Sequence, residues 1–263
     1  EDKDSGFYLG VKLEQPITED ISVLADVVDY SRVGFKNKYG LKYDNKFFRL
    51  KYTNGWDLDD DDWYKKQNNW RFDLKSQRIA KGLPLSYSGY YEYGLWQREF
   101  GHGESRGPKS WHREYAAYLN HDPIHLFNSK KNSLNLTVGK KWAHESYTKE
   151  SNSTEMYYAP FTQNISPKWT AWTGYYHEKL TSAIFDIDQP DMAHEWRMGV
   201  QFKPDRTNTF SIVNRYDTDN GEQYETDYRW EHKFCCWRLE FILEDERKKN
   251  DHNFIVHYYF DNL

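Results

Sequence analysis

Hydrophobic and polar residues alternate along short segments of this chain, most clearly in its last third. In the segment 133–142 the two kinds of side chain separate onto opposite faces, with Leu134, Leu136, Val138 and Trp142 on one and Asn135, Thr137, Gly139 and Lys141 on the other. Because successive strand residues point to opposite sides of a sheet, this segment is predicted to be a strand with one apolar and one polar face. The same alternation recurs around Phe210 and Ile212, over 237–243 and over 254–260.

Segments of this kind recur along the whole chain, and almost no helical period accompanies them. The candidate strands are 6–14, 20–31, 33–43, 45–56, 68–79, 83–99, 110–121, 132–148, 154–164, 168–180, 194–203, 207–217, 222–233, 235–246 and 252–261. Tight turns such as 15–18 and 203–206 connect some of them, and longer polar links such as 57–67 and 181–193 connect others. Short turns that alternate with longer loops are typical of a membrane barrel.

The pattern therefore predicts an all-β protein, in which residues 1–263 form a single domain, a closed antiparallel transmembrane β-barrel. Bacterial barrels usually have an even number of strands, so about fourteen strands are expected, within a range of 12–16. An even count makes 33–43 the segment to remove, either as a hairpin arm or as part of the neighbouring segment. The apolar faces would contact lipid, and the polar faces would line a wet interior.

Composition supports this architecture and excludes several others. Aromatic residues make up 18% of the chain, with 22 Tyr and 11 Trp, whereas a disordered chain would contain few of them. No segment approaches the roughly 20 apolar residues of a membrane helix. The net charge of −5 is spread over mixed acidic and basic residues, without the concentrated basic face that nucleic acid requires. A soluble β-sandwich or barrel rich in Trp and Tyr, such as a glycan-binding β protein, is the alternative.

Basic residues on the polar faces of the predicted strands are candidates for the interior of the barrel. They are Arg49, Lys51, Arg71, Arg113, Lys141, Arg197, Arg215, Arg229 and Arg238. An interior that carries charges of both signs would pass or hold polar molecules, anionic ones in particular. The alternative is that these charges pair with one another and only fill the barrel.

An acidic run after Trp56 is the sharpest charge feature of the chain. It contains Asp57, Asp59, Asp60, Asp61 and Asp62. Oxygen-rich clusters can hold Ca²⁺ or Mg²⁺, but the run lacks the glycine and the terminal glutamate of an EF-hand loop. A solvated loop is therefore predicted, with a divalent ion at the outer surface as the alternative.

The sequence indicates neither enzyme chemistry nor a cofactor. The ten histidines are scattered, without the convergent spacing of a zinc site, and no other metal site is assigned. Several glutamates lie beside Trp or Tyr, as in glycoside hydrolases, but no two form a close acid pair within one segment. The chain also contains no G-x-S-x-G nucleophile motif.

Cys235 and Cys236 are adjacent, and they are the only cysteines of the chain. On a strand they would point to opposite faces, and a disulfide between them would be strained. Free thiols seldom persist in an oxidising compartment, so both are disulfide candidates whose partners lie elsewhere or in another chain. Two buried thiols beside Trp237 are the alternative.

The segment 228–241, YRWEHKFCCWRLEF, resembles the C-terminal barrel region of the LptD family, which assembles lipopolysaccharide in the bacterial outer membrane. The adjacent cysteines, the following Trp237 and an alternating Arg/Glu strand carry the resemblance, and 30–35 (YSRVGF) is similar in style. That family also has a periplasmic jellyroll domain with partner cysteines and a larger barrel. The expectation is accordingly a barrel fragment, one chain of a split system or a smaller relative.

The resemblance implies a role in lipopolysaccharide assembly or transport to the cell surface, in the outer membrane of a bacterium. It implies lipopolysaccharide or another glycolipid as the cargo, a lipoprotein plug or a periplasmic chain as a partner, and an opening between segments 6–14 and 252–261. A diffusion porin for acidic oligosaccharides is the alternative function, and a soluble glycan-binding β protein is the third.

Overall fold

The structure is a computed structural model of the chain, and it describes residues 8–31, 34–59, 62–100, 105–126, 129–179, 185, 191–247 and 251–260. These residues form fifteen β-strands. The strands are β1 (Tyr8–Pro16), β2 (Ile21–Tyr30), β3 (Gly34–Asp44), β4 (Phe48–Asp59), β5 (Asp62–Arg78), β6 (Leu85–Phe100), β7 (Ser105–Ile124), β8 (Asn132–Glu145), β9 (Ser151–Ser166), β10 (Trp169–Glu178), β11 (His194–Phe202), β12 (Asn208–Asp217), β13 (Glu222–Lys233), β14 (Trp237–Glu246) and β15 (Asp251–Phe260).

The all-β prediction is confirmed, and each strand pairs with its neighbours in chain order from β1 to β15. Where the register is resolved, the pairs are antiparallel, as in β1–β2 and β14–β15. The expected closure is not seen, because the order of this sheet does not return from β15 to β1 within the described part of the chain. The described residues also contain no helix with the length and apolarity needed to cross a bilayer.

The described residues form fifteen strands, one more than the expected fourteen and within the expected range of 12–16. Segment 33–43, which an even count would remove, forms the complete strand β3, with ladders to both β2 and β4. The even-number rule applies to closed barrels, and the ladder seen here is open. The predicted polar link 57–67 is also wrong, since β4 continues to Asp59 and β5 already begins at Asp62.

The chain divides into two compact units. The first contains Glu1–Asn120, Val138–Glu155 and Lys179–Pro190, and the second contains His121–Thr137, Met156–Glu178 and Asp191–Leu263. Strands β1–β7 lie almost entirely in the first unit, and β10–β15 lie in the second.

The side chains buried within these units are mainly polar. Among the described residues, seventeen polar or charged side chains are buried, against ten hydrophobic ones, while many large hydrophobic side chains are exposed. This distribution is the reverse of the usual soluble protein, in which Lys, Glu and Asp are almost never fully buried. The strands therefore bury their charged side and expose their apolar side.

Candidate functional site

The two sides of the sheet differ sharply in the second unit, where four strands can be compared residue by residue. Ile212, Tyr228, Leu243 and Phe254 lie directly opposite one another across β12–β15. Their exposed fractions are 45%, 44%, 43% and 56%. Phe210, Trp230, Phe241 and Val256 form a second row of the same kind two residues away. We call the side that carries these rows the apolar face, and the opposite side of each strand the polar face.

In the first unit, stacked aromatic rings lie on the exposed side of the strands, which is the apolar face there. Tyr93 stacks on Trp111 with ring centroids 5.1 Å apart, and Tyr115 stacks on Trp142 at 5.0 Å. Cross-strand aromatic pairs of this kind stabilise a sheet, and Trp and Tyr are the residues enriched where a protein meets lipid headgroups.

The polar face of the first unit surrounds a cavity of about 550 Å³. Seven basic side chains line it: Lys12, Lys38, Lys42, Arg49, Lys51, Lys66 and Arg71. Five acidic side chains line it as well: Glu14, Asp26, Asp57, Asp73 and Glu92. Seven cations against five anions leave the cavity with a formal charge of +2, although the whole chain carries −5. The lining is therefore suited to polar solutes, and to anions more than to cations.

Gly40 allows β3 and β4 to approach each other closely beside this cavity. A Cβ atom at this position would lie 2.1 Å from the carbonyl oxygen of Tyr52 on β4, so any other residue would push the two backbones apart. Lys38 and Lys42 flank Gly40 on the same face of β3 and reach into the cavity from either side.

Carboxylates hold most of the cavity cations in ion pairs. Asp57 pairs with Lys38 and lies 3.4 Å from the ammonium of Lys66. Glu92, which is buried, lies 3.6 Å from Lys66 and accepts a 3.0 Å hydrogen bond from Arg71. Breaking a buried ion pair leaves an uncompensated charge and is strongly destabilising, so this network also fixes the strands to one another.

The first unit contains a second buried charge cluster around Glu99 and Glu145. Glu99 accepts hydrogen bonds from Lys36 at 2.6 Å and from Arg106 at 3.0 Å. Glu145 pairs with His112, and the indole of Trp96 stacks on that imidazole with centroids 3.8 Å apart.

In the second unit, Glu195 is the centre of the charged network on the polar face. It is only 2% exposed, and it binds Arg197 at 2.6 Å and Arg215 at 2.7 Å. Arg215 also reaches Glu225 at 2.7 Å and Asp191 at 2.9 Å. Each of these cations has a carboxylate partner, so this network rigidifies the sheet and offers no free binding group.

Most of the predicted interior cations lie on polar faces. Arg49, Lys51 and Arg71 line the cavity, Lys141 is buried, and Arg197 and Arg215 bind Glu195. Arg229 lies 3.4 Å from Glu240, and Arg238 lies 3.1 Å from Glu231.

Arg113 is the exception among these predicted cations. It is exposed and shares the apolar face of β7 with Trp111 and Tyr115, while His112 and Glu114 point to the other side. The prediction for Arg113 is therefore wrong. Residues 111, 113 and 115 point to the same side of a strand, so Trp111 and Tyr115 indicate that Arg113 lies on the apolar face.

Asp57, at the start of the acidic run, does not lie in the predicted solvated loop. Asp57 lies within β4, and its carboxylate is engaged by Lys38 and Lys66 instead of being available to an ion. Asp59 and Asp62 are strand residues that lie opposite each other in the β4–β5 ladder. Asp60 and Asp61 fall outside the described residues. No group of three or more metal-ligating side chains occurs in the part of the chain that the structure describes.

Cys235 and Cys236 lie in the turn between β13 and β14, not on a strand as predicted. Both are exposed free thiols, and their sulfur atoms are 2.8 Å apart. The hydrogen bond between the two sulfur atoms, and then charge repulsion by Cys235, raise the pKa of Cys236. The alternative of two buried thiols is thus also wrong, because a turn lets neighbouring side chains share one side.

Sequence reasoning missed Lys36, Lys38, Lys42 and Lys66 as cavity or cluster residues. Lys36, Lys38 and Lys42 occupy alternate positions of β3, with Gly40 at the position between the last two. This period of two in the sequence indicates one shared polar face.

No protein-family model and no curated protein matches the chain. Among solved structures, the chain is similar to one described as "CymD monoaromatic hydrocarbon channel", with a TM-score of 0.45 and 9% identity. The similarity covers 98% of this chain and 90% of that chain. A likeness of this size supports no conclusion about solute or mechanism.

Proposed function

We propose that this protein is a bacterial outer-membrane β-barrel that provides a passage for polar, anionic solutes. The observation that carries the proposal is the inverted distribution of side chains, with charged groups buried on one side of the strands and apolar rows exposed on the other. Hydrocarbon chains of a bilayer would cover the apolar face, and strands that alternate in this way are typical of membrane barrels.

The apolar rows together form a contiguous patch of a kind that soluble proteins rarely expose to water. The row Ile212, Tyr228, Leu243 and Phe254 crosses four strands, and the row of Phe210 lies directly beside it. Monomeric soluble proteins rarely expose contiguous apolar patches above a few hundred Å². A soluble glycan-binding β protein would instead bury these residues and expose Glu92, Glu195 and Glu240, which are all buried.

The charge of the cavity favours anions as the solutes. Its lining has two more cations than anions, and a lumen lined by Lys and Arg selects against cations. Lipopolysaccharide assembly is the alternative that the Cys-Cys-Trp resemblance suggests, with lipopolysaccharide or another glycolipid as cargo and a lipoprotein or periplasmic partner. It remains a prediction.

Planar-bilayer recording of the purified protein under a KCl gradient tests the proposal. We expect steady single-channel conductance and a reversal potential whose sign shows preference for chloride. A protein that stays folded and monodisperse in buffer without detergent would contradict the membrane assignment. A closed barrel that copurifies with bound glycolipid would favour lipopolysaccharide assembly over a passage.

A further inference from the structure

Three basic residues lie side by side on the polar face of the first unit. Lys42 on β3 lies directly opposite Lys51 on β4, and Lys51 lies directly opposite Arg71 on β5. Like charges that face each other across strands destabilise a sheet. We call these three residues the basic row.

The neighbouring row shows that such an arrangement is not a general property of these strands. Two positions along the same face, Asp44 lies opposite Arg49, and Arg49 lies opposite Asp73. Signs alternate in that row, and Arg49 binds Asp44 at 2.8 Å. The basic row is thus a local departure from charge compensation, which calls for an explanation of its own.

The two outer members of the basic row have carboxylate partners, whereas none of the described carboxylates lies within ion-pair distance of its centre. Lys42 pairs with Glu14, and Arg71 binds Asp73 at 2.8 Å and Glu92 at 3.0 Å. In the described residues no carboxylate forms an ion pair with Lys51, although the side chain lines the cavity. A half-buried ammonium between two other cations is unfavourable unless an anion joins it.

We propose that the basic row is an oxyanion-binding site, in which Lys51 binds a carboxylate or phosphate group of a solute in the cavity. This inference rests on the proposed function and deepens it by naming the charged group that the passage recognises. The ammonium of Lys51 offers three donors to an oxyanion. Lys42 is the second donor, because an ammonium has three donors and its pairing with the half-exposed Glu14 uses one of them.

Calorimetric titration of the full chain in detergent micelles tests the site. The probes are glucuronate and inorganic phosphate, which share oxyanion chemistry, with uncharged glucose as the control ligand. We expect binding of at least one of the two anions and none of glucose. Glucuronate alone would identify a carboxylate site, and phosphate alone would identify a phosphate site.

Two charge-removing variants locate the binding on the basic row. Lys51→Gln should weaken binding by about tenfold or more, the usual cost of losing a hydrogen bond between charged groups. Lys46→Gln is the matched control, because Lys46 lies exposed in the β3–β4 turn, outside the cavity lining, and its loss changes the net charge equally. Lys51→Arg, which keeps the charge, should retain most of the affinity.

Equal affinity of wild type and Lys51→Gln would overturn the inference, and so would an absence of anion binding by wild type. If Lys51→Gln fails to fold, Lys42→Gln takes its place, with weakened binding expected and unchanged binding overturning the site. The experiments can refute the passage and the oxyanion-binding site independently of each other. Anion binding without conductance overturns the passage but keeps the site, whereas conductance without anion binding overturns the site alone.

Discussion

Substituting lysine for Ile212 measures directly what covers the apolar face. Ile212 is the fifth of ten residues in β12, it is 45% exposed, and its cross-strand neighbours are Val200 and Tyr228. If the face contacts hydrocarbon, the mid-strand position lies near the bilayer centre, where a charged side chain has no water and no partner.

The expected cost follows from this position. A lysine on the lipid face of a barrel costs about 2–4 kcal/mol at the bilayer midplane and about 0–1 kcal/mol near the interfaces. Because about 1.4 kcal/mol corresponds to a factor of ten, Ile212→Lys should lower the folding equilibrium constant about 30-fold to several hundredfold. On a surface in water, the same change would stay within about 0.5 kcal/mol.

Equilibrium denaturant unfolding of the protein in phospholipid vesicles, followed by tryptophan fluorescence, gives this free energy. The matched control is Ser211→Lys, which places the same charge one residue away on the polar face, opposite Arg229, and should cost less than about 1 kcal/mol, the range of one cross-strand like-charge contact. A loss below about 0.5 kcal/mol for Ile212→Lys, or equal losses for both variants, would refute the reasoning.

Three other substitutions or labels probe separate parts of the structure. Lys51→Met removes two cross-strand like-charge contacts at about 0.2–1 kcal/mol each. The free energy of unfolding of the unliganded protein, measured with denaturant at low salt, should therefore rise by up to about 2 kcal/mol; a lower free energy of unfolding would contradict repulsion within the basic row. Hydrogen bonds from Thr207 and Asn208 lower the pKa of Asp205 below its ordinary 3.8, so its stabilising contribution is present above about pH 4 and lost on further acidification. Asp205→Asn should therefore flatten the fall in thermal midpoint below about pH 4, and an unchanged fall would argue against those hydrogen bonds. Cys235 and Cys236 are exposed free thiols, so a maleimide probe should label both in the folded protein without reductant, whereas labelling only after reduction would show that they are oxidised.

The strands were predictable because their signal is local. The predicted segment 207–217 matches β12 to within one residue, and 222–233 matches β13 completely, since a period of two needs only a few residues to show. The same period predicted that most of the candidate cations lie on the polar face, since the position of a residue along a strand decides its face.

The basic row was not predictable because strand register is not local. Lys42 meets Lys51 only through the β3–β4 turn, where the Asn45 side chain accepts hydrogen bonds from the backbone amides of Phe47 and Phe48. The pairing of Lys51 with Arg71 depends further on the irregular β4–β5 ladder, whose register shifts between Thr53 and Gly55. A sequence pattern gives the face of a residue, but not its neighbour across the sheet.

Two errors came from applying general tendencies to particular residues. Charge runs usually stay in water, but the Asp57 carboxylate pairs within the sheet with Lys38 and Lys66 from two neighbouring strands. The prediction of a strand that begins at residue 235 is wrong, because β14 begins only at Trp237 and leaves both cysteines in the turn.

Spin-label accessibility along β12 tests most directly whether lipid covers the apolar face. Labels would be placed singly at Phe210, Ser211 and Ile212 in a background with Cys235→Ser and Cys236→Ser, in phospholipid vesicles. The account predicts that labels at 210 and 212 collide with oxygen dissolved in the bilayer, while the label at 211 collides with a water-soluble nickel chelate. Equal access of the nickel chelate to all three positions would contradict the account.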